Sequence, residues 1–464
     1  MGQKNSGRRY EYEGERQSAK RSANYSRASV NAGAGKKRRR KKKKSHAGLI
    51  AMIIIIIAIA GAAFVAWKTG MFNKQEEAVV EKPLPEYPSV SKTATVGATG
   101  DILLHGPVLN ACYTGTGDGY DFTNIFAGVK EYYSSVDLMI ANLEVTLGGE
   151  ESGAFTGYPV FNSPDSIVSA LKDAGVDLCL TANNHSNDTG YYGMMRTLSV
   201  LDDYGIDHLG TRETTDEHYI WTGIVNGIKL GMICYTYDTR DETEWVKSLN
   251  GGYLSEDARD KVNTFNYSAL DEFYEDVEQQ LYYMRMLGCE ANIFFLHWGN
   301  EYEDYPNDIQ TQIAEKLCEL GVDVIIGGHP HVVQEFDTYE SSTGHQMICL
   351  YSMGNELSNQ RRYYMEAEDD ARGYTEDGLI IQLSIEKFNN GKVKIGGVSI
   401  IPTWVEEDTY EIIALDTSKD TSEWNTWYTD SAIGSYNRTL GRLSSAYNEY
   451  RVSKNLAAVP DSIE

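Results

Sequence analysis

Six short apolar runs in this 464-residue chain each stop at a cluster of Asp, Glu, Asn or His, and that repeated pattern limits the fold more than any other feature. The polar ends are Gly100-Asp101, Asn142-Leu143-Glu144, Asn183-Asn184-His185, His297-Trp298, Gly328-His329-Pro330-His331 and Gly354-Asn355. Apolar runs of strand length, alternating with segments of helical period, read as an α/β sheet system. Parallel strands bring their carboxyl ends to one edge, where open α/β folds place their sites. Residues scattered along the chain therefore meet in space. Carboxylate, carboxamide oxygen and imidazole are the donors of a two-metal site, and a metal-dependent hydrolase is the leading reading of the residues.

The net charge of −25 conceals a division. Residues 1–47 carry 16 Lys or Arg and 3 acids, whereas the remainder carries 26 and 64, a charge near −38. Between the two regions Gly48 to Trp67 is a stretch of 20 residues without a charge, including the run Ile53 to Ile57. At about 1.5 Å per residue it is long enough for the roughly 30 Å hydrocarbon core of a bilayer. Nine consecutive basic residues, Lys36 to Lys44, precede it, and short basic flanks stay in the cytoplasm. The sequence thus predicts a single-pass anchor at 48–67, a basic disordered cytoplasmic tail at 1–47 and an extracytoplasmic remainder. The basic run is explained by its position beside the span, so no nucleic-acid partner is inferred. Anionic lipid headgroups are its natural extra contact.

All six cysteines lie in the exported part, and none forms a CxxC pair. A thiolate metal site or redox pair is thereby disfavoured. Cys179, Cys234 and Cys349 fall inside apolar runs and read as small buried hydrophobes. Cys289 and Cys318 are the one disulfide pairing kept open.

Residues 68–92 contain Pro83, Pro85 and Pro88 among acids and read as a stalk. The globular part is expected from 93 to 405, with an acidic extension at 406–464 holding one helix near Ser431–Tyr450. Strands are expected at Thr93–Ala98, Leu138–Ala141, Leu178–Thr181, Lys229–Tyr235, Asn292–Leu296, Val322–Ile326, Met347–Tyr351 and Gly378–Ile385. Helices are expected at Pro164–Ala174, Gly193–Tyr204, Ala269–Gly288 and Asp308–Leu320. Asn389-Asn390-Gly391 between two alternating runs is a hairpin signal, so the sheets are expected to be mixed.

His329 and His331 flank a proline after an apolar run, a bend that lets both imidazoles face one ion; a surface turn with chance histidines is the plainer alternative. Asn184 supplies a hard oxygen, and His185 beside it can protonate a leaving oxygen because imidazole titrates near neutrality. The plainer alternative there is a helix N-cap at Asn187 or Asp188. Asp101 and Glu144 each end a strand, as bridging carboxylates would; a turn residue and a solvated loop acid are the alternatives. His297 is followed by Trp298, Glu301 and Tyr302, whose aromatic rings suit a pocket wall. His46, His208, His218 and His345 lack such a context.

In this order the motifs resemble those of the CapA-type proteins of bacterial capsule and poly-γ-glutamate synthesis, relatives of the calcineurin-like metallophosphoesterases. The matching stretches are Val96 to Asp101, Ala141 to Glu144, Ala182 to His185 with Asp188 and Gly190, and His297 to Tyr302. Gly327 to His331 with Gln334, Tyr351 to Asn355 and Ile401 to Val405 complete them. The resemblance covers about Thr93 to Val405. It implies a four-layer αββα sandwich with two divalent metal ions (Mn, Fe or Zn) at the strand ends. Asp101, Glu144, Asn184, His297, His329 and His331 would be their ligands, and His185 the proton donor. His105, Asp188, Tyr302 and Asn355 are further candidates. The usual phosphoesterase pattern departs from this chain at position 103, where it has histidine and this chain has Leu103; His105 is the nearest substitute.

Two functions follow from the resemblance. One is a membrane-anchored extracytoplasmic hydrolase acting on a phosphoester or an amide-type bond. The other is a non-catalytic accessory subunit of a membrane-bound polymer synthesis or export complex. A strongly acidic ectodomain repels an anionic polymer, but at ~0.15 M salt only over a Debye length of ~8 Å, which leaves local capture at the metals open.

Overall fold

The computed structural model describes residues 47–68, 88–116, 119–215, 219–240, 246–361, 374–424, 426, 428–460 and 462–463. Most of the basic tail, stalk residues 69–87 and the acidic loop Glu366–Asp370 lie outside them. The chain divides into two units, Met1–Pro85 and Glu86–Glu464. In the first, the charge-free stretch forms helix α1 (Ala47–Lys68), and every residue whose burial is described there is exposed. The side chains at 47, 49, 66 and 67 are not among those described, and no helix of described residues is long and apolar enough to cross a membrane.

The second unit opens with four strands, β1 (Val90–Ile102), β2 (Leu138–Leu143), β3 (Leu178–Leu180) and β4 (Asp207–Leu209), all parallel neighbours. Helices α2 (Gly106–Cys112), α3 (Lys130–Tyr133), α4 (Ser166–Ala174) and α5 (Gly190–Tyr204) connect them. The chain then builds a second sheet. Strands β5 (Trp221–Val225) and β6 (Ile228–Tyr237) pair antiparallel. A small three-stranded sheet follows, β7 (Thr239–Arg240), β8 (Lys247–Leu249) and β9 (Gly252–Tyr253), and then β10 (Thr264–Phe265) returns to β6. Helices α6 (Leu270–Met286) and α7 (Asp308–Leu320) flank β11 (Ala291–His297) in sequence and lead to β12 (Val324–Gly328), β13 (Phe336–Glu340) and β14 (Gln346–Leu350). The order in space is β10-β6-β11-β12-β14-β13.

The last strands return to the first sheet. β15 (Asn355–Leu357) lies parallel to β1, and β16 (Asp377–Phe388), β17 (Val393–Val405) and β18 (Ile412–Ala414) extend the far side antiparallel. The β16–β17 hairpin turns at the expected Asn-Gly, with Gly391 at φ 82°. Both sheets are mixed, as expected.

Side chains alternate between faces along a strand, and three apolar clusters follow from that period. Leu178 and Leu180, Met232 and Cys234, and Ile293 and Phe295 point into a core between the sheets. Cys179 points outward onto a cluster that includes Val168 and Leu171 of α4. Ile233, Tyr235, Phe294 and Leu296 point outward onto Phe273, Val277, Ile313 and Leu317 of α6 and α7. Because both faces are covered, these strands read as unbroken apolar runs. Phe295 is 1% exposed, and truncating such a ring costs about 3–5 kcal/mol.

Beyond Glu406 the helix expected near Ser431–Tyr450 is present, slightly longer at both ends. Helix α8 (Thr429–Ser453) contributes Tyr436, Leu440, Leu443, Tyr447 and Tyr450 to the inter-sheet core. All six cysteines are free, five of them buried and Cys289 half-buried, so the Cys289–Cys318 bridge is not formed.

Candidate metal centre

Strand register brings the polar ends level. Asp101 of β1 pairs with Asn142 of β2 on one side and Asn355 of β15 on the other, with irregular register at Asp101 in both ladders. Such a bulge re-aims a side chain. In the second sheet His297 pairs with Gly328. His329 and His331 follow immediately, both at positive φ (96° and 58°), an uncommon conformation for non-glycine residues that concentrates at functional sites. The strained turn is held across the sheets, because the His329 N–H donates to Asp101 Oδ2 at 3.0 Å.

The result is a buried cluster. Asp101, Glu144 and His297 offer donor atoms within 4.8 Å of one another, as do Glu144, His329 and His331. His331 Nδ1 stands 3.2 Å from Asp101 Oδ2, and His331 Nε2 is 3.9 Å from Glu144 Oε1. Asn142 Nδ2 donates to Asp101 Oδ1 at 2.7 Å and reaches Glu144 Oε2 at 3.4 Å. Two buried atoms in the cluster, Glu144 Oε1 and His329 Nδ1, have no hydrogen-bond partner. Buried polar atoms are rarely left so. One oxygen and one nitrogen without partners, among carboxylates and imidazoles, fit a divalent ion.

Titration follows from these contacts. Burial lowers the His331 imidazole, but the Glu144 charge, the Asp101 hydrogen bond and the Asp101 charge outweigh it and push it up to about 9. Burial, then the neighbouring His297 and His331, hold His329 well below its ordinary range. For Asp101, burial acts upward and is outweighed by the His331 hydrogen bond and the His297 and His331 charges, leaving the carboxyl lowered.

The remaining candidates surround the cluster. Asn184 Oδ1 lies 2.7 Å from His297 Nε2. His185 is 4% exposed; its Nδ1 is 2.7 Å from Asp188 Oδ2, and its ring meets Phe161 edge-on at 4.7 Å. Asp188 also accepts the Phe161 N–H at 2.7 Å, so it serves His185 and not a helix cap; α5 has Thr189 as its N-cap residue, without a side-chain cap bond. Asn355 Oδ1 is 3.0 Å from His331 Nδ1. Tyr302, at φ 69°, places its ring 6.0 Å from that of His331. His105 is not brought into the cluster. Its Nδ1 accepts the Asn359 N–H at 3.4 Å, its ring packs edge-on against Phe161, and burial lowers its pKa to about 3.

Three contributions are not read from the strand-end pattern alone. Asn142 belongs to a polar end, but its bridging role between two carboxylates is visible only in space. Tyr237 packs 4.8 Å from the His329 ring. Asn250 Nδ2 lies 3.2 Å from His185 Nε2 and 3.4 Å from its Nδ1, and Asn250 Oδ1 accepts from Asn184 Nδ2 at 3.0 Å. Asn250-Gly251 is an Asn-Gly pair, the signal that would have marked this hairpin.

The profile of the bacterial capsule synthesis protein PGA_cap matches residues 95–360, more than half of the chain and every residue of the cluster. The chain belongs to this family. It is 24% identical over 348 residues to the capsule biosynthesis protein CapA of Bacillus anthracis, covering 72% of this chain and 75% of that protein. The PGA biosynthesis protein CapA of Bacillus subtilis (strain 168) is 24% identical over 310 residues, covering 64% and 72%. A probable polyglutamine synthesis accessory protein of Mycobacterium tuberculosis is 23% identical over 262 residues, covering 52% and 64%. The PGA_cap match and the buried His/Asp/Glu cluster coincide in this chain's strand ends.

Proposed function

We propose that this PGA_cap protein acts in capsule or poly-γ-glutamate biosynthesis as a membrane-anchored, extracytoplasmic, metal-dependent hydrolase with a metallophosphoesterase-like αββα domain. The observation that carries the reading is the convergence of Asp101, Glu144, His297, His329 and His331, with two donor atoms left without partners. Asn184 completes the ligand set for two ions, and the mixed N/O donors suit Mn, Fe or Zn. Bound divalent ions supply Lewis-acid polarisation of a substrate oxygen and lower the pKa of water.

The chain's own residues do the rest. The Asp188 carboxylate accepts from His185 Nδ1, which fixes the ring and leaves Nε2 to hand a proton to a departing oxygen or nitrogen. Phe161 and the buried walls around His185 exclude water from that transfer. Asn355 orients His331 through Nδ1. The substrate class is a phosphoester or a γ-glutamyl amide, and the partner a membrane-bound polymer synthase complex. The charge-free stretch Gly48 to Trp67 behind its nine basic residues would anchor the domain beside that complex; protease shaving of intact cells tests the orientation.

A second reading, an accessory subunit without turnover, is favoured by Leu103 and by the place of His105 outside the cluster. The Mycobacterium tuberculosis relative, a probable polyglutamine synthesis accessory protein, is in keeping with it. The test is to purify the chain, measure bound metal, and assay phosphoester and γ-glutamyl substrates with and without Mn²⁺. Activity lost in His185→Ala with metal retained supports catalysis. Metal binding without turnover, together with loss of surface polymer on deletion, supports the accessory role.

A further inference from the structure

β8 and β9 pair with Leu249 opposite Gly252, which leaves Asn250 and Gly251 as a two-residue turn. Their φ values are 45° and 74°. Positive φ at both central residues is the type I′ turn, for which Asn-Gly is the favoured pair. The turn places the Asn250 carboxamide between two residues of the candidate centre.

The hydrogen bonds then fix one another in sequence. A carboxylate only accepts, so Asp188 takes the proton of His185 Nδ1 at 2.7 Å. An amide nitrogen only donates, and Asn250 Nδ2 lies against the His185 ring, 3.2 Å from Nε2 and 3.4 Å from Nδ1. That placement turns Asn250 Oδ1 towards Asn184, whose Nδ2 donates to it at 3.0 Å. The Asn184 oxygen is left facing His297 Nε2 at 2.7 Å. A carboxamide ligates a cation only through oxygen, and its two flipped orientations have nearly the same shape. Something must choose between them.

We propose that Asn250 is a positioning residue of the metal centre, which selects the orientation of Asn184 that aims its carboxamide oxygen into the cluster. The inference rests on the metal-centre reading above. Partners of this kind, which touch a ligand and not the ion, typically cost 10- to 100-fold in metal affinity when removed.

The test is a calorimetric Mn²⁺ titration of the whole 464-residue chain. Asn250→Gly suits the left-handed turn and removes the side chain, and it is expected to bind Mn²⁺ about tenfold more weakly. Asn250→Asp keeps an acceptor for Asn184 Nδ2 and is expected to keep the parent affinity. In an Asn184→Ala background, Asn250→Gly is expected to change affinity less than about twofold, because the residue it orients is gone. Parent-like binding by Asn250→Gly overturns the proposal. So does an equal loss in Asn250→Asp, or a loss that persists undiminished in the Asn184→Ala background. A parent chain that takes up no Mn²⁺ overturns the metal-centre reading itself and this inference with it.

Discussion

Glu144 Oε1 and His297 Nε2 face each other across 3.4 Å, and no hydrogen bond joins them. The imidazole nitrogen bonds Asn184 Oδ1 instead, at 2.7 Å. A buried carboxylate oxygen without a donor costs free energy, and a cation is what satisfies it. Glu144→Gln keeps the volume and removes the charge. Its metal-free thermal midpoint is expected to match or exceed the parent's, while Mn²⁺ affinity falls by more than the roughly 100-fold upper range for indirect partners. Calorimetry in EDTA and a Mn²⁺ titration read the two effects. Early unfolding of the metal-free variant contradicts this account of the cluster.

A ligand held only by the folded state stabilises it by about 2.7 kcal/mol at a hundredfold excess over its Kd. The parent chain is therefore expected to melt at a higher temperature in Mn²⁺ and to return to its original midpoint on adding EDTA. His329→Ala removes an imidazole whose Nδ1 has no hydrogen-bond partner, so the Mn²⁺ response should vanish, alongside a lower metal-free midpoint from the cavity left at this buried position. A parent midpoint indifferent to Mn²⁺ would count against a metal centre.

The strand ends were legible because two physical periods coincide: apolar runs stop where the backbone leaves the sheet, and polar residues begin there. Asp101, Glu144, His297, His329 and His331 all announce themselves in this way. The partition into two sheets was not legible, because it depends on which strands pair. Nothing local in Asn355–Leu357 says that it returns to lie parallel to β1. Asn250 was missed because β8 and β9 have three and two residues, too short for an alternating pattern. Past Glu406 one helix is legible near Ser431–Tyr450, but the acids of the segment hide that it packs into the inter-sheet core. Yet Tyr436, Leu440, Leu443, Tyr447 and Tyr450 mark one helical face, and tyrosines there do the work of aliphatic core residues.

The two glycines before His329 should fail in different ways. A Cβ on Gly327 would lie 1.9 Å from the Tyr351 carbonyl oxygen and 2.5 Å from Trp298 Nε1, two groups already bonded to each other at 2.9 Å. Gly327→Ala is expected to cost about 3 kcal/mol or more by overpacking. A Cβ on Gly328 would instead meet Asp101 Oδ1 at 2.7 Å. Gly328→Ala is expected to fold with a smaller loss but to displace that carboxylate and weaken Mn²⁺ binding about tenfold. Urea unfolding with parallel Mn²⁺ titrations separates them. Equal stability losses with equal affinities would refute the distinction.

Glu356, next to Asn355 on β15, is fully buried and receives hydroxyls from Tyr133 at 2.6 Å and Thr403 at 2.9 Å. Burial pushes its pKa up to about 7 from an ordinary 4.5, and the hydrogen bonds from Thr99, Tyr133 and Thr403 only partly oppose it. Between those two values the folded chain holds a proton that the unfolded chain has released. Stability must therefore fall as pH rises through that window and level off above it. At about 1.4 kcal/mol per pKa unit the loss is on the order of 3 kcal/mol. Glu356→Gln cannot ionise, so its stability between pH 4.5 and 7 should lack this component, and the gap between variant and parent should widen in the variant's favour as pH rises. Denaturant unfolding of both chains across that range checks it, and a gap independent of pH would show that Glu356 titrates alike in the folded and unfolded states.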